Sequence, residues 1–429
     1  MTVARLHTLL QAVFRAGVLV TLCVAPTQWS LEVRPKLFLS PADLTLAFTA
    51  GVWFLDVLVC RDWRRLLRLP PWPHLLFVGC AAASAVVAAD RGAALKDLVQ
   101  FTEYFIVGAM VFEAFLREGG GLRVRQALMV LGGMTAVALG FAAVQYVSPG
   151  GHRSIGLFAD GKTLDIIVNV LGGRESPLLV GGTFGNRNVL GGFLALALPL
   201  CFAGLAGRDV RAWVRVLCGA GLAAGLAVNL SGASYFAVAG VILCMAAVRG
   251  ARWFVPAAAA LLLWQAAVLP RLPRENDLAH FQSVALYGET GAAERRYPAW
   301  QAAYGMVLTN PWLGVGLGNY QKHVGQYYDV VPRETGPSEP DIQNLYLVLA
   351  ASCGLPGLFA FLAVLAHGVA SAVRSAGRSP VAWGVAGSLC AFAATAVWHP
   401  LLVRGIGLPF VFLLVLARYL GQSEKHDGL

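Results

Sequence analysis

Charged side chains are scarce in this chain of 429 residues. They make up 13% of the residues, against about 25% in a soluble domain, whereas 57% are hydrophobic and the mean hydropathy is +0.65. This composition excludes a soluble domain. The chain also lacks low-complexity tracts and any obvious internal repeat, so nothing in it favours a transporter built from two related halves.

Cysteine motifs are missing as well. None of the eight cysteines belongs to a Cys-x-x-Cys pair, and all lie in or beside apolar stretches. This pattern is typical of small apolar packing residues and indicates neither a metal centre nor a disulfide framework. No cleavable signal peptide is evident, because the first apolar stretch lacks a small-residue cleavage site and is followed by further apolar stretches.

The hydrophobic residues lie in long runs. A helix needs roughly 17–25 apolar residues to cross a bilayer, whereas barrel strands alternate and are about half as long. We therefore predict an all-α, polytopic integral membrane protein with about twelve transmembrane helices, eleven or thirteen being alternatives. The predicted spans are 13–29, 42–59, 74–89, 98–116, 126–147, 188–206, 213–230, 233–248, 253–270, 344–372, 380–398 and 404–420.

The distribution of Lys and Arg predicts the orientation. With both ends in the cytoplasm, the inner segments hold 18 of the 33 cations and the short outer loops hold five. Cytoplasmic loops carry such an excess, which explains the net charge of +10 without nucleic acid. We predict an inner (cytoplasmic) membrane protein whose two longer outer segments face the periplasm.

Two longer outer segments, 148–187 and 271–343, hold the other ten cations. Long connections of this kind are usually functional. We accordingly divide the chain into three regions. Residues 1–187 contain five spans and the first long segment. Residues 188–420 contain the other spans and the periplasmic loop 271–343 between spans nine and ten, and residues 421–429 form a cytoplasmic tail.

The first long segment ends in Gly-Gly-Thr-Phe-Gly-Asn-Arg-Asn at residues 181–188, just before a span. Asn186 or Asn188 is a candidate helix cap, and a helix N-terminus binds anions through free N–H groups and its dipole. Arg187 adds a cation there. The alternative is an ordinary interfacial arginine beside a cap.

The second long segment contains Glu294, Arg295, Arg296 and Trp300. The apolar spacing over 296–308 predicts an amphipathic helix on the outer leaflet. Next comes a stretch that reads Asn-Pro-Trp-Leu-Gly-Val-Gly-Leu-Gly-Asn-Tyr at 310–320. Its Gly-x-Gly-x-Gly is not a dinucleotide fingerprint, because no βαβ unit surrounds it, and we interpret it as a flexible turn.

The loop closes with Asp-Ile-Gln-Asn-Leu-Tyr-Leu at 341–347, where the tenth span begins. Gln343 and Asn344 are either caps or site residues. Gly-Leu-Pro-Gly at 354–357 then predicts a helix break inside the span. Such a break survives only where protein or a cavity satisfies the freed backbone groups.

These motifs, in this order, resemble the O-antigen ligase and polymerase superfamily over roughly residues 181–362. Its members are bacterial membrane glycosyltransferases that act on undecaprenyl-diphosphate-linked glycans. Two departures stand out. The superfamily usually has His-Asn-x-Tyr-Leu where this chain has Gln343 before Asn344, and many members carry Ser-Arg-Gly where this chain has Ser-Gly-Ala at 231–233.

The resemblance implies a lipid diphosphate leaving group, which fixed cations can stabilise. Arginine suits it because its fork is bidentate. We predict Arg296 and Arg187 as the principal cations and Arg174 and Arg295 as secondary ones, with no metal or other cofactor. Gln343 takes the place of the histidine, and the candidate general bases are Glu294, Asp341 and His399. The remaining predicted substrate contacts are Asn186, Asn188, Trp300, Asn319, Asn344 and Tyr346.

The predicted activity is oligosaccharide transfer or polymerisation in O-antigen or exopolysaccharide synthesis, with a polymerase favoured because the ligase histidine is missing. Its partners are the lipid-linked donor, a glycan or lipid acceptor and the bilayer, with a flippase and a chain-length regulator as further candidates. The alternatives are a transporter or flippase for a lipid-linked glycan and a non-catalytic relative.

Overall fold

The computed structural model describes residues 2–27, 31–34, 37–147, 181–184, 186–205, 232–249, 292–327, 343–377, 379–403 and 405–423. This part of the chain is helical apart from one antiparallel ribbon, β1 (Leu31–Arg34) with β2 (Leu37–Leu39). The helices are α1 (Val3–Val24), α2 (Pro41–Cys60), α3 (Trp72–Val87), α4 (Arg91–Thr102), α5 (Ala109–Val147), α6 (Arg187–Leu205), α7 (Gly232–Arg249), α8 (Ala292–Thr309), α9 (Tyr320–Val324), α10 (Leu345–Ala376), α11 (Pro380–Thr395) and α12 (Gly407–Ser423).

Every predicted span coincides with a described helix except 213–230 and 253–270, which lie outside the described residues. A π-helical stretch, Glu103–Gly108, joins α4 to α5, and α5 holds two predicted spans separated by a kink at Gly120 (φ 53°, ψ −142°). Within the described residues, four helical stretches are long and apolar enough to cross a membrane, namely Val3–Val24, Pro41–Cys60, Arg91–Ala143 and Leu345–Ala376. The prediction of a helical, multi-pass membrane protein is therefore confirmed.

The predicted start of the first span, at residue 13, is wrong. Helix α1 already begins at Val3, because its polar residues have partners on the neighbouring helix α2. His7 Nδ1 lies 2.6 Å from Asp56 Oδ1, and Gln11 Nε2 donates to Asp56 Oδ2 over 2.7 Å. Periodicity of apolar residues alone does not reveal such pairs.

Local signals explain where α2 begins and ends. Ser40 Oγ accepts from the Asp43 N–H and Asp43 Oδ2 accepts from the Ser40 N–H, which is a capping box with Pro41 as the first helical residue. This arrangement satisfies two N–H groups that have no partner inside the helix. Arg61 ends the helix in the left-handed region (φ 53°).

Ion pairs tie the helix ends together on the side predicted to face the cytoplasm. Glu113 of α5 accepts from Arg117 over 2.9 Å and from Arg418 of α12 over 3.0 Å. Arg65, which follows α2, pairs with Glu118 of α5 at 3.4 Å. Residues from three predicted inner segments thus meet at one end of the bundle.

Aromatic rings fill the centre of the bundle. Phe392 of α11 stacks on Phe410 of α12 with centroids 4.3 Å apart, and Phe361 of α10 lies 5.5 Å from Phe77 of α3. All four side chains are fully buried. This packing fixes α10 among α3, α11 and α12, and the candidate site lies at the end of these helices opposite the ion pairs.

Candidate active site

The segment 310–319, here named the glycine loop, is packed against three helices. Gly314, Gly316 and Gly318 all have positive φ (67°, 101° and 69°), which is costly for residues with a side chain. A Cβ on Gly314 would stand 2.3 Å from the Ser352 carbonyl oxygen, and one on Gly316 would stand 2.4 Å from Cα of Ala88. The interpretation of this loop as a flexible turn is therefore wrong, because close backbone contacts hold it in place.

The glycine loop fills the predicted break in α10. Gly354 leaves helical geometry there (φ 71°, ψ 178°). The N–H groups of Val315 and Gly316 donate to the carbonyls of Ala351 (2.9 Å) and Ser352 (3.2 Å), and Leu355 N–H donates to the Pro311 carbonyl (2.8 Å). The prediction that protein satisfies the broken backbone is confirmed, and the loop supplies the partners.

Asn319 anchors the end of the glycine loop. Its side chain is fully buried. Oδ1 accepts from the Asp90 N–H over 2.7 Å, while Nδ2 donates to the carbonyls of Asp90 (3.2 Å) and Leu317 (2.8 Å). Both amide hydrogens are thus used inside the protein, so Asn319 positions the loop against α4. Of its side-chain atoms, only Oδ1 keeps hydrogen-bonding capacity for the predicted contact with substrate.

Asp90 and Lys322 form an ion pair beside this anchor, which the sequence pattern did not indicate. The Lys322 ammonium lowers the pKa of Asp90 to about 2, and the Ala93 N–H, which donates to Asp90 Oδ1 over 3.0 Å, contributes. The one sequence signal is that Asp90 immediately precedes α4 and caps it. Asp97, about two helical turns further along the chain, brings Oδ2 close to Gly318.

The start of α10 is docked on the end of α11. Asn344 caps α10 by accepting from the Leu347 N–H over 3.1 Å. The Leu345 N–H donates to the Ala396 carbonyl (2.9 Å), and the Tyr346 hydroxyl donates to the Ala393 carbonyl (2.7 Å). Two of the predicted substrate contacts, Asn344 and Tyr346, therefore have structural partners.

Gln343, immediately before this cap, has a left-handed backbone (φ 49°) and a half-buried side chain. A residue other than glycine occupies this region at a cost of about 1–2 kcal/mol. Strain of this kind is concentrated at functional sites. The position where the superfamily usually has histidine is thus also a strained position of this chain.

Helix α8 confirms the predicted helix in the second long segment, and it packs on α10 rather than only on a membrane surface. Ala303 and Met306 are fully buried, whereas Tyr304 and Leu308 are 60% and 62% exposed. Trp300 lies against Trp398, with ring centroids 5.5 Å apart.

Trp398 brings His399 into the same region. His399 follows α11 and is buried, with 4% of its surface exposed. The residues after it lead to α6, where Leu401 packs against Gly192 and Gly405 packs against Phe184. The chain from 398 to 406 therefore connects the Trp300–Trp398 pair with the beginning of α6.

Of the two predicted candidates for the cap of α6, Asn186 and Asn188, Asn186 occupies the capping position. Its Oδ1 accepts from the Asn188 N–H over 2.8 Å, and its carbonyl accepts from the Leu190 N–H over 3.0 Å. The turn before it is fixed by Thr183, whose hydroxyl donates to the Pro26 carbonyl over 2.9 Å. Asn186 is exposed and Asn188 is half-buried, so this helix N-terminus remains accessible at Asn186.

Arg187 is the first residue of α6, and Glu294, Arg295 and Arg296 lie at the beginning of α8. Position 296 precedes Trp300 by four residues, so the two share a helix face. Arg174 and Asp341 lie outside the described residues.

Residues 217–362 match the family model of the O-antigen ligase. This segment, about a third of the chain, is similar to that family. The match covers α7, α8, the glycine loop, Gln343 and the break in α10, and it confirms the resemblance to the O-antigen ligase and polymerase superfamily. The α6 motif and His399 lie outside the matched ligase segment but at the same end of the fold. No curated protein matches the chain.

Proposed function

We propose that this protein is a membrane glycosyltransferase that transfers or polymerises undecaprenyl-diphosphate-linked oligosaccharide at the periplasmic face, in O-antigen or exopolysaccharide synthesis. Polymerisation is the favoured activity, because Gln343 stands where ligases rely on histidine. The proposal goes beyond family membership in naming the donor, the face and the reaction.

One observation carries it. The ligase family domain contributes α8, the glycine loop and the start of α10, and these elements converge with the end of α11. Trp300 contacts Trp398 at 5.5 Å, and Leu345 N–H donates to the Ala396 carbonyl at 2.9 Å. Helix packing alone does not require motif residues from such distant parts of the chain to lie together at one end of the bundle.

The proposed reaction would take place at this end of the bundle. An acceptor hydroxyl attacks the anomeric carbon, a new glycosidic C–O bond forms, and the bond to the diphosphate oxygen breaks. The diphosphate leaves with the electron pair, and its growing negative charge requires fixed cations. In this proposal, Arg187 and Arg296 supply these cations. Arg187 is the first residue of α6, where the helix dipole also favours anions, and Arg296 precedes Trp300 by four residues on α8.

The hydroxyl proton requires an acceptor, and the Gln343 amide cannot titrate. His399 is the candidate with a defined location in the structure, buried next to Trp398. Glu294, at the beginning of α8, and Asp341 are the other candidates. Because diphosphate is a good leaving group, orientation and electrostatics supply much of the rate, and we propose that the reaction needs no metal.

A transporter or flippase remains the alternative, and the break in α10 argues against it. In broken-helix transporters the freed backbone faces the transported substrate or ion. Here the N–H groups of Val315 and Gly316 donate to the freed carbonyls. These carbonyl oxygens therefore have fewer lone pairs with which to bind an ion.

The decisive experiment supplies purified full-length protein with a polyprenyl-diphosphate oligosaccharide and follows the lipid by chromatography. We expect release of polyprenyl diphosphate together with a ladder of longer glycans, and a Trp398→Leu variant should show reduced turnover. Release without a ladder, upon addition of a lipid acceptor, would identify a ligase. Movement of intact donor across a liposome bilayer, with no bond broken, would contradict the proposal.

A further inference from the structure

Three side chains with different donor atoms converge at the end of the bundle opposite the candidate active site. Asp56 and Cys60 lie one turn apart on α2, and His7 faces them from α1. His7 Nδ1 lies 2.6 Å from Asp56 Oδ1 and 3.2 Å from Cys60 Sγ, and Cys60 Sγ lies 3.8 Å from Asp56 Oδ1. Residues at i and i+4 share a helix face, so α2 presents both its donors to α1.

These separations fit a metal ion. A single point lies about 1.9 Å from all three atoms, slightly less than zinc–ligand distances of about 2.0–2.3 Å. An ion at those distances would stand just outside the plane of the three atoms. Three protein ligands would leave the fourth position of a tetrahedral zinc site open, and His7 Nδ1 and Asp56 Oδ1, now 2.6 Å apart, would move apart on binding.

The carboxylate is already oriented for this role. Asp56 is fully buried, and its other oxygen, Oδ2, accepts from Gln11 Nε2 over 2.7 Å and from Arg65 Nη1 over 2.8 Å. Oδ1 therefore faces His7 and Cys60. Metal-binding carboxylates are commonly held in this way by hydrogen bonds to the oxygen that does not bind the metal.

Within the set of ion-paired side chains around Asp56, the charges favour a cation. Asp56, Asp62 and Glu118 carry three negative charges around Arg65, which pairs with all three, and Arg123 pairs with Glu118. Two positive charges thus oppose three negative ones. When Cys60 loses its proton, the excess becomes two negative charges, which a divalent ion balances.

We propose that His7 Nδ1, Asp56 Oδ1 and Cys60 Sγ bind a zinc ion. Zinc accepts nitrogen, oxygen and thiolate ligands together. On binding, the ion forms a bond to Sγ, the thiol proton passes to solvent, and His7 binds through an unprotonated Nδ1. The site ties the amino end of α1 to the carboxyl end of α2 and takes no part in glycosyl transfer.

The test uses the purified full-length protein in detergent, stripped of metal and then exposed to zinc chloride. After desalting, elemental analysis should find zinc on the native chain and on Cys23→Ser, which removes an exposed cysteine elsewhere. Cys60→Ser and His7→Gln should lose it. Gln11→Ala, which removes a hydrogen bond to Asp56 but no ligand, should weaken binding by about 10–100-fold.

Alkylation of the native chain gives a second readout that needs no variant. Zinc should slow the modification of Cys60 and leave that of Cys23 unchanged.

Cobalt in place of zinc should give a thiolate charge-transfer absorption that Cys60→Ser abolishes. Equal zinc on Cys60→Ser and Cys23→Ser, or unchanged Cys60 alkylation, would overturn the site and leave His7 and Asp56 as a simple ion pair.

Discussion

The backbone N–H of Gly316 donates to the carbonyl of Ser352 over 3.2 Å. This bond joins the middle of the glycine loop to the break in α10, two features 36 residues apart in the chain. A second bond strengthens the same junction, because Ser84 of α3 donates its hydroxyl to the Ser352 carbonyl over 2.6 Å. The break and the loop therefore form one structural unit, and a change in either should disturb both.

Gly314→Ala should destabilise the protein. The new Cβ would stand 2.3 Å from the Ser352 carbonyl oxygen at a residue with φ 67°, and strain of this kind costs about 1–3 kcal/mol. The measurement is unfolding of the purified protein in detergent. Gly133→Ala is the matched control, since nothing lies within 4 Å of its added Cβ and alanine stabilises a helix interior by about 0.5–1 kcal/mol. Equal stability of the two variants would contradict the packing described for the loop.

Lys322→Met should remove a stabilising contribution that depends on pH. The pKa of Asp90 falls from 3.8 to about 2 in the folded protein, so its ion pair stabilises the fold fully above pH 3.8 and progressively less as the pH falls towards 2. The difference in melting temperature between the native chain and Lys322→Met should therefore be largest near neutral pH and vanish in acid. Arg91→Gln, an exposed neighbour, should show no such trend, and a difference independent of pH would exclude the ion pair as its cause.

The sequence predicts what depends on local patterns. Apolar runs locate the described spans, Gly354 with Pro356 predicts the break in α10, and the position of Asn186 before an apolar run predicts the cap of α6. Each of these follows from residues within a few turns of one another, where helix periodicity and backbone preference apply directly.

Local patterns do not predict contacts between residues that are distant in the chain. Asn319 and Asp90 are 229 residues apart, and no spacing rule connects them. For the same reason the sequence predicts a flexible glycine loop, whereas contacts with Ser352 and Ala88 fix it. Asp56 is a carboxylate in an apolar helix, and its role is evident only from its partners His7 and Gln11 on α1 and Arg65 after α2.

The orientation can be tested by cysteine labelling in intact cells from which the native cysteines have been removed. Gln321→Cys, in the exposed stretch after the glycine loop, should react with a membrane-impermeant reagent from the periplasm. Leu67→Cys, 77% exposed between α2 and α3, should react only after permeabilisation, because its segment carries predicted inner cations. The reverse pattern would place the motif-bearing end in the cytoplasm and remove the periplasmic reaction.

Arg187→Ala and Arg296→Ala should each abolish glycan transfer or extension at matched membrane levels. Losing one donor to developing negative charge typically lowers the rate about 10²–10³-fold. The lysine variants should recover little activity, because an ammonium cannot replace the bidentate fork. Arg91→Ala, at an exposed position at the start of α4, is a matched control that should retain activity. Normal activity in both Arg187→Ala and Arg296→Ala would refute the assignment of these cations.

The last prediction concerns Gln343, at the position where the superfamily usually has histidine. If the proton acceptor is elsewhere, Gln343→Ala should be milder than Arg296→Ala, whereas at least one of His399→Ala, Glu294→Gln and Asp341→Asn should be severe. A titrating base gives the rate an acidic limb, and removal of that base abolishes the limb. The pH profile of each variant therefore separates a lost base from a damaged fold.

The backbone at Gln343 supplies a sharper control. Its φ of 49° suits glycine better than any other residue, so Gln343→Gly removes the side chain while preserving this conformation. Activity in Gln343→Gly together with inactivity in Gln343→Ala would show that the strained backbone, and not the amide, is required. If both variants are as inactive as Arg296→Ala while the variants of His399, Glu294 and Asp341 are normal, the relocated base is excluded, and the Gln343 amide orients the substrate by hydrogen bonding.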